Sequence, residues 1–171
     1  HVTPLLLAAR YSSDECAALL AADVRVNVNA VNGFGDTALM LACARNLVRT
    51  VRALLDAPHI DVNIITPQGF SATMYAAFFG HIDIVQMFVA DKRVDTDLCP
   101  ALECAPLWVA VHERHMQCAS LLIPRCMSIP NLCEIARLMP QLETLISPVR
   151  EPALHFRKRA VSNVSERAYL L

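Results

Sequence analysis

The stretch Thr37-Ala38-Leu39-Met40-Leu41-Ala42-Cys43 decides the fold, because variants of it recur along the chain at one interval. The related stretches are Thr3-Pro4-Leu5-Leu6-Leu7-Ala8-Ala9, Ser71-Ala72-Thr73-Met74-Tyr75-Ala76-Ala77 and Ala105-Pro106-Leu107-Trp108-Val109-Ala110-Val111. Their first residues stand at 3, 37, 71 and 105, so every interval is 34 residues. An unbroken period of this length is typical of proteins built from stacked helical units.

Each unit has the pattern of two short helices joined by a turn. Thr3 and Thr37 are suited to accept a backbone N–H at a helix start, and Pro4 suits the first helical position after it. A polar break follows, and a second apolar stripe then appears at helical spacing, as in Asp83 to Ala90. The sequence therefore predicts one helix–turn–helix per unit.

The connectors between units carry short polar motifs and glycines. Asn27-Val28-Asn29 recurs as Asp61-Val62-Asn63, again at the 34-residue interval. All four glycines of the chain fall in turns, where we expect a positive φ. They are Gly33, Gly35, Gly69 and Gly80.

These stretches resemble ankyrin repeats. The resemblance covers residues 1–124 and is carried by the Thr-Pro-Leu-x-Leu-Ala-Ala stretch at 3–9, its variant at 37–42, Gly-His-Ile-Asp-Ile-Val at 80–85 and the Asp-Val-Asn connectors. It implies an all-α ankyrin solenoid of stacked helix–turn–helix units with β-turn or hairpin connectors. Its four repeats are units 1 to 4, at residues 1–34, 35–68, 69–102 and, as a partial repeat, 103–124.

The fourth unit departs most from the pattern of the family. Its capping position holds Ala105 where the earlier units have threonine or serine, and its turn positions hold Glu103 and Arg114 in place of glycine. We therefore expect a looser fourth unit with fewer hydrogen bonds between turn and helix.

Two further segments follow the repeats. Residues 125–149 form either a degenerate fifth repeat acting as a helical cap, which a stack needs over its last apolar face, or a separate segment. Residues 150–171 form a basic C-terminal tail with five Lys and Arg against two Glu.

Composition narrows the class of protein. The 171 residues include 15 Lys and Arg, 16 Asp and Glu and 55% hydrophobic residues, which favours a folded soluble segment. The net charge of -1 gives no electrostatic case for a nucleic-acid partner, and no apolar run reaches membrane-spanning length. Seven cysteines without a C-x-x-C pair favour a reduced, intracellular protein, and we expect a cytoplasmic one.

In proteins that this repeat resembles, the first helices and connector tips line a concave groove that binds other proteins. The corresponding slots hold five aromatic residues and several charged ones, the side-chain types that dominate binding energy at interfaces. The candidate partner-binding residues are Tyr11, Phe34, Asp36, Arg45, Gln68, Phe70, Phe78, Phe79, His112 and Glu113. Phe34 and Phe70 are predicted at connector tips with little core nearby, whereas Phe78 and Phe79 have the alternative of packing beneath a connector.

Other chemistry has little support in the sequence. His112, His115 and Cys118 are three apart, but the predicted turn at His115 separates them from a common helix face, so we expect no metal site. No nucleotide-binding glycine motif occurs, and no spacing supplies a nucleophile with its base. We expect no enzyme activity, no cofactor and no small-molecule substrate.

The sequence favours a non-catalytic scaffold or adaptor that binds a protein or peptide in the groove. The alternative is a substrate-recognition adaptor of a ubiquitin ligase, recruited through the tail. Pro152-Ala153-Leu154 followed by basic residues is faintly similar to the box that recruits such ligases, although Lys158 stands where the box has a cysteine.

Overall fold

The computed structural model describes residues 2–11, 13–96 and 105–125. Eight helices occur in these ranges, arranged as four consecutive pairs. They are α1 (Pro4–Tyr11), α2 (Asp14–Ala22), α3 (Ala38–Ala44), α4 (Val48–Asp56), α5 (Ala72–Phe79), α6 (Ile82–Ala90), α7 (Pro106–His112) and α8 (Met116–Leu122). The predicted cap and tail lie outside the described residues from 126 onward, so both stay predictions, as do the domain limits.

The helices stack in two parallel layers. Helices α1, α3, α5 and α7 pack in succession to form one layer, and α2, α4, α6 and α8 form the other. Apolar side chains from both layers, such as Leu39, Leu54 and Phe88, are buried between them. Short antiparallel bridges join Val31 to Thr37 and Ile65 to Ser71 in the connectors. The predicted all-α repeat solenoid is confirmed.

The capping hydroxyls act as the repeat pattern predicts. The backbone N–H of the residue three positions on donates to Thr3 at 3.3 Å, to Thr37 at 3.2 Å and to Ser71 at 3.2 Å. Ala105 offers no such acceptor at the start of α7, and Pro106 occupies the first turn instead. The first helix of unit 4 therefore starts without the bond that its counterparts have.

Asparagine side chains tie neighbouring units together through their backbones. Asn29 donates to the His59 carbonyl at 2.7 Å and accepts from the Asp61 N–H at 2.9 Å. Asn63 repeats both bonds one unit later, to Arg93 at 2.8 Å and Asp95 at 2.9 Å. Because each amide makes both bonds to one connector, it fixes the offset between successive units.

Asp14 caps a helix that belongs to the next unit. Helix α4 has no capping side chain of its own at Leu47, but the Asp14 carboxylate accepts from the N–H groups of Arg49 at 2.9 Å and Thr50 at 2.8 Å. The Thr50 hydroxyl donates to it as well, at 2.8 Å. Burial acts to raise the pKa of Asp14, but these hydrogen bonds outweigh it and hold the pKa below 3.8.

The variant Asp14→Ala should lose about 1 kcal/mol of stability at neutral pH, the usual value of a helix cap. Since the folded-state pKa is depressed, the contribution is present above pH 3.8 and disappears as the pH falls through the lower folded value. Urea titrations of the parent protein and the variant should show a difference in the free energy of unfolding that is smaller at pH 2.5 than at pH 7. Glu15→Ala, which removes only an exposed ion pair with Arg49, is the control and should change little.

Left-handed backbone recurs at the turn between the two helices of a unit. Gly80 takes φ 73°, and the equivalent positions Asn46 and Arg114 take φ 57° and 63°. Gly35 and Gly69 also have positive φ, as predicted, whereas Gly33 does not and the prediction is wrong there. Arginine in this region holds its Cβ against a backbone oxygen, which costs about 1–2 kcal/mol.

The variant Arg114→Gly should therefore raise the free energy of unfolding by about 1 kcal/mol, because glycine adopts this φ without steric cost. The Arg114 side chain is exposed, so little else changes. Thermal unfolding measures the gain. Asn46→Gly should stabilise less, since asparagine tolerates the left-handed region; equal gains at both sites would contradict this explanation.

Candidate protein-binding groove

The C-terminal ends of the first helices and the connector tips form the candidate groove surface. At its N-terminal end, Tyr11 is 69% exposed and Phe34 is 57% exposed. The Arg10 guanidinium lies 5.3 Å from the centroid of the Tyr11 ring, in the range of a cation–π contact. The Phe34 connector is held in shape by Asn32, whose side-chain oxygen accepts from the Phe34 N–H at 2.8 Å.

Arg45 continues this surface into unit 2. It follows α3 and is exposed, and its guanidinium donates to the Arg10 carbonyl at the end of α1. Arg45 thus links the ends of two first helices. Together Arg10 and Arg45 place two positive charges beside Tyr11.

A cluster of rings follows at the end of α5. Phe78 and Phe79 meet edge to face at 5.0 Å, and Phe79 stacks on His81 at 5.8 Å. Both phenylalanines are partly buried and pack against the core. Burial lowers the pKa of His81; its hydrogen bond to the Ala44 carbonyl counteracts this in part, and nearby His115 lowers the pKa further.

In unit 4 the groove surface ends in a second ring pair. His112 is exposed and stacks on Trp108 at 4.9 Å, and its Nδ1 lies 3.0 Å from the Glu113 carboxylate. The sequence reasoning did not include Trp108 among the binding candidates. Trp108 and His112 are four residues apart, a spacing that places two side chains next to each other on a helix, and this spacing was the available signal.

Two predicted groove residues are buried. Phe70 is 3% exposed and packs edge to face on Tyr75 at 6.1 Å, so the expectation of little core around it is wrong. Asp36 is fully buried and accepts from the Tyr75 hydroxyl at 3.1 Å and from the Asn32 amide at 3.1 Å. Tyr75 therefore contacts both side chains: Asp36 across the boundary between units 2 and 3, and Phe70 within unit 3.

The connector tips add apolar surface that the sequence reasoning did not single out. Gln68, which it did, is exposed on the second connector. Val31 and Ile65, at equivalent positions of the two connectors, are 45% and 39% exposed beside their bridges. Their 34-residue spacing was the available signal.

The residues considered for a metal site do not come together as one. Cys118 is buried, and burial raises the pKa of its thiol. Across ranges 2–11, 13–96 and 105–125, no group of three or more His, Cys, Asp or Glu side chains is placed to hold a metal ion. Nor does any helix in the described ranges have the length and apolar character needed to cross a membrane.

The stacked helix pairs and their hairpin-like connectors define a helical repeat protein. The chain belongs to the ankyrin-repeat family: the family model for ankyrin repeats in three copies matches residues 5–99. Ankyrin repeats are typically non-catalytic and generally serve as protein–protein interaction modules.

Two further comparisons find similar proteins. The chain is 28% identical over 113 residues to the SMC5-SMC6 complex localization factor protein 1 of Bos taurus, covering 66% of this chain and 10% of that protein. The crystal structure of EF0377, an ankyrin repeat protein, matches with a TM-score of 0.61 and 22% identity, over 77% of this chain and 66% of that one. The chain thus spans about a tenth of the bovine relative.

Proposed function

We propose that this chain is a non-catalytic scaffold or adaptor that binds a protein or peptide along the groove surface. The observation that carries the proposal is the row of exposed or partly exposed rings at successive helix ends and connectors. It comprises Tyr11, Phe34, Phe78, Phe79, Trp108 and His112. Large rings of this kind supply contact area with little loss of side-chain entropy.

The charges along this row give the partner a preferred direction. Arg10 and Arg45 lie at the N-terminal end, whereas Glu113 lies at the other end beside His112. A partner segment with an acidic residue near Tyr11 and a basic residue near Glu113 fits this polarity. Since exposed charge pairs contribute mostly to orientation and association rate, the rings carry most of the affinity.

The bovine relative is described as a localization factor of a protein complex. By analogy we propose a recruiting role, in which the groove holds one partner and brings it to another. The ubiquitin-ligase alternative depends on residues 150–171, which lie outside the described part of the chain, so the groove carries the proposal. An intracellular, cytoplasmic location stays a prediction.

A double variant tests the groove directly. Tyr11→Ala with Phe34→Ala removes two exposed rings and should weaken partner binding by about 30-fold or more, equivalent to about 2 kcal/mol, while folding is kept. A photo-crosslinking residue at position 34 identifies the partner, and calorimetry with that partner measures the affinity. Phe70 is unsuitable for this test because its burial would mix binding with stability.

The matched control is Arg52→Ala with Gln86→Ala, two exposed positions on the second helices α4 and α6. This variant should bind the crosslinked partner as tightly as the parent protein does. Unchanged affinity in the groove variant, or an equal loss in the control, would reject the groove as the binding surface.

A further inference from the structure

The first helix of unit 1 leaves exposed a position that every later unit buries. Leu7 is 47% exposed, whereas its register equivalents Leu41, Tyr75 and Val109 are 2%, 2% and 3% exposed. All four side chains are hydrophobic, although Tyr75 also carries a hydroxyl, and all stand at the same position of their helix. The difference therefore comes from what lies next to the helix.

The second helix of unit 1 shows the same contrast. Cys16 is exposed, while its equivalents Thr50, Ile84 and Cys118 are completely buried. One turn further on, Leu19 is 75% exposed. Leu7, Cys16 and Leu19 lie on the two helices of one unit and form what we call the N-terminal face.

Contacts in the later units identify what covers these positions. Tyr75, equivalent to Leu7, donates through its hydroxyl to Asp36 of the unit before it. Thr50, equivalent to Cys16, donates to the backbone and side chain of Asp14, also one unit earlier. At both positions, the side chain therefore contacts the preceding unit: its connector at Asp36 and its second helix at Asp14.

The hydrogen bonds between connectors also show how one unit contacts the next. Asn29 and Asn63 each reach the following unit at a carbonyl and at the N–H two residues on. The counterparts of those groups in unit 1 are the Arg25 carbonyl and the Asn27 N–H. An asparagine at the Asn29 position of a preceding unit would bond to these two backbone groups.

We propose that the N-terminal face is an interface for one more ankyrin-type helix pair. That pair covers Leu7, Cys16 and Leu19 with the apolar face that each unit presents to the next. It also bonds to Arg25 and Asn27 through an asparagine in the register of Asn29. This interface would use the same kinds of contact that the described units make with one another.

The test extends the full chain by one unit of its own sequence. Residues 35–68 are fused ahead of residue 1, which keeps the 34-residue register. His1 is replaced by glycine in this protein, because its equivalents Gly35 and Gly69 take φ 85° and 86°. Iodoacetamide labelling of Cys16, measured on the peptide that contains it, should be at least tenfold slower in the fusion than in the unextended chain. The thermal midpoint of the fusion should also be higher.

Two controls make the result specific. The same fusion with Leu7→Lys should regain fast Cys16 labelling, because a buried charge opposes docking. Fast labelling in the parent fusion, or an added unit that gains no helix by circular dichroism, would overturn the proposal. So would a dimer of the unextended chain, seen by sedimentation, in which Cys16 is protected, because a second copy would then be the occupant.

Discussion

Asp36→Ala is expected to lower the free energy of unfolding by about 3 kcal/mol. The carboxylate is fully buried and receives hydrogen bonds from Tyr75 of unit 3 and from Asn32 of its own connector. Bonds to a charged group contribute about 1.5–3 kcal/mol each, and the Tyr75 hydroxyl would be left buried without this acceptor. Urea denaturation followed by far-ultraviolet circular dichroism measures the loss.

Two companion variants locate the source of that loss. Tyr75→Phe removes one bond and keeps the ring, so it should cost about half as much, and the double variant should cost less than the two added together. Asp56→Ala removes an exposed carboxylate and should change the midpoint little. Equal losses from Asp36→Ala and Asp56→Ala would show that the buried bonds contribute nothing.

Gly80→Ala should be as damaging, again by about 3 kcal/mol, and for two separate reasons. At φ 73° a methyl group costs about 1–2 kcal/mol. The added Cβ would also lie 2.5 Å from Nδ1 of His115 and 2.6 Å from its Cε1, so the ring has to move, at a further cost of about 1–3 kcal/mol.

The single tryptophan of the chain makes this prediction specific to one end of the stack. Trp108 lies in unit 4, as does His115. The unfolding midpoint measured by Trp108 fluorescence should therefore shift more than the midpoint measured by circular dichroism, which reports on all helices. Gly80→Ala combined with His115→Ala should recover the part due to the ring, leaving the backbone cost. Failure of this rescue would mean that the clash plays no part.

The sequence was enough to predict the helices because their signals are local and repeated. Thr37 and Ser71 accept the bonds that their side chains suggest, and the 34-residue interval holds through every described helix pair. Repetition strengthened each prediction, since a signal weak in one unit reappeared in the next.

The candidate site was less predictable because side-chain direction depends on the neighbouring unit. Asp36 was predicted to line the groove, yet it is buried and accepts a hydrogen bond from Tyr75 of the following unit. The sequence around Asp36 gives no sign of this hydroxyl, because Tyr75 lies 39 residues further along the chain. The capping of α4 by Asp14 of the preceding unit was not predicted, for the same reason.

The even stacking of α1, α3, α5 and α7 has a consequence for the sequence of any ligand. Packed helices stand about 8–10 Å apart, so equivalent groove positions recur at that pitch. A ligand in the polyproline II conformation has three residues per turn and rises about 3.1 Å per residue, so it would meet successive units with every third side chain. A helical ligand rises about 1.5 Å per residue and would meet successive units with every sixth or seventh side chain. The spacing of the anchor residues in a ligand therefore indicates the conformation in which it binds.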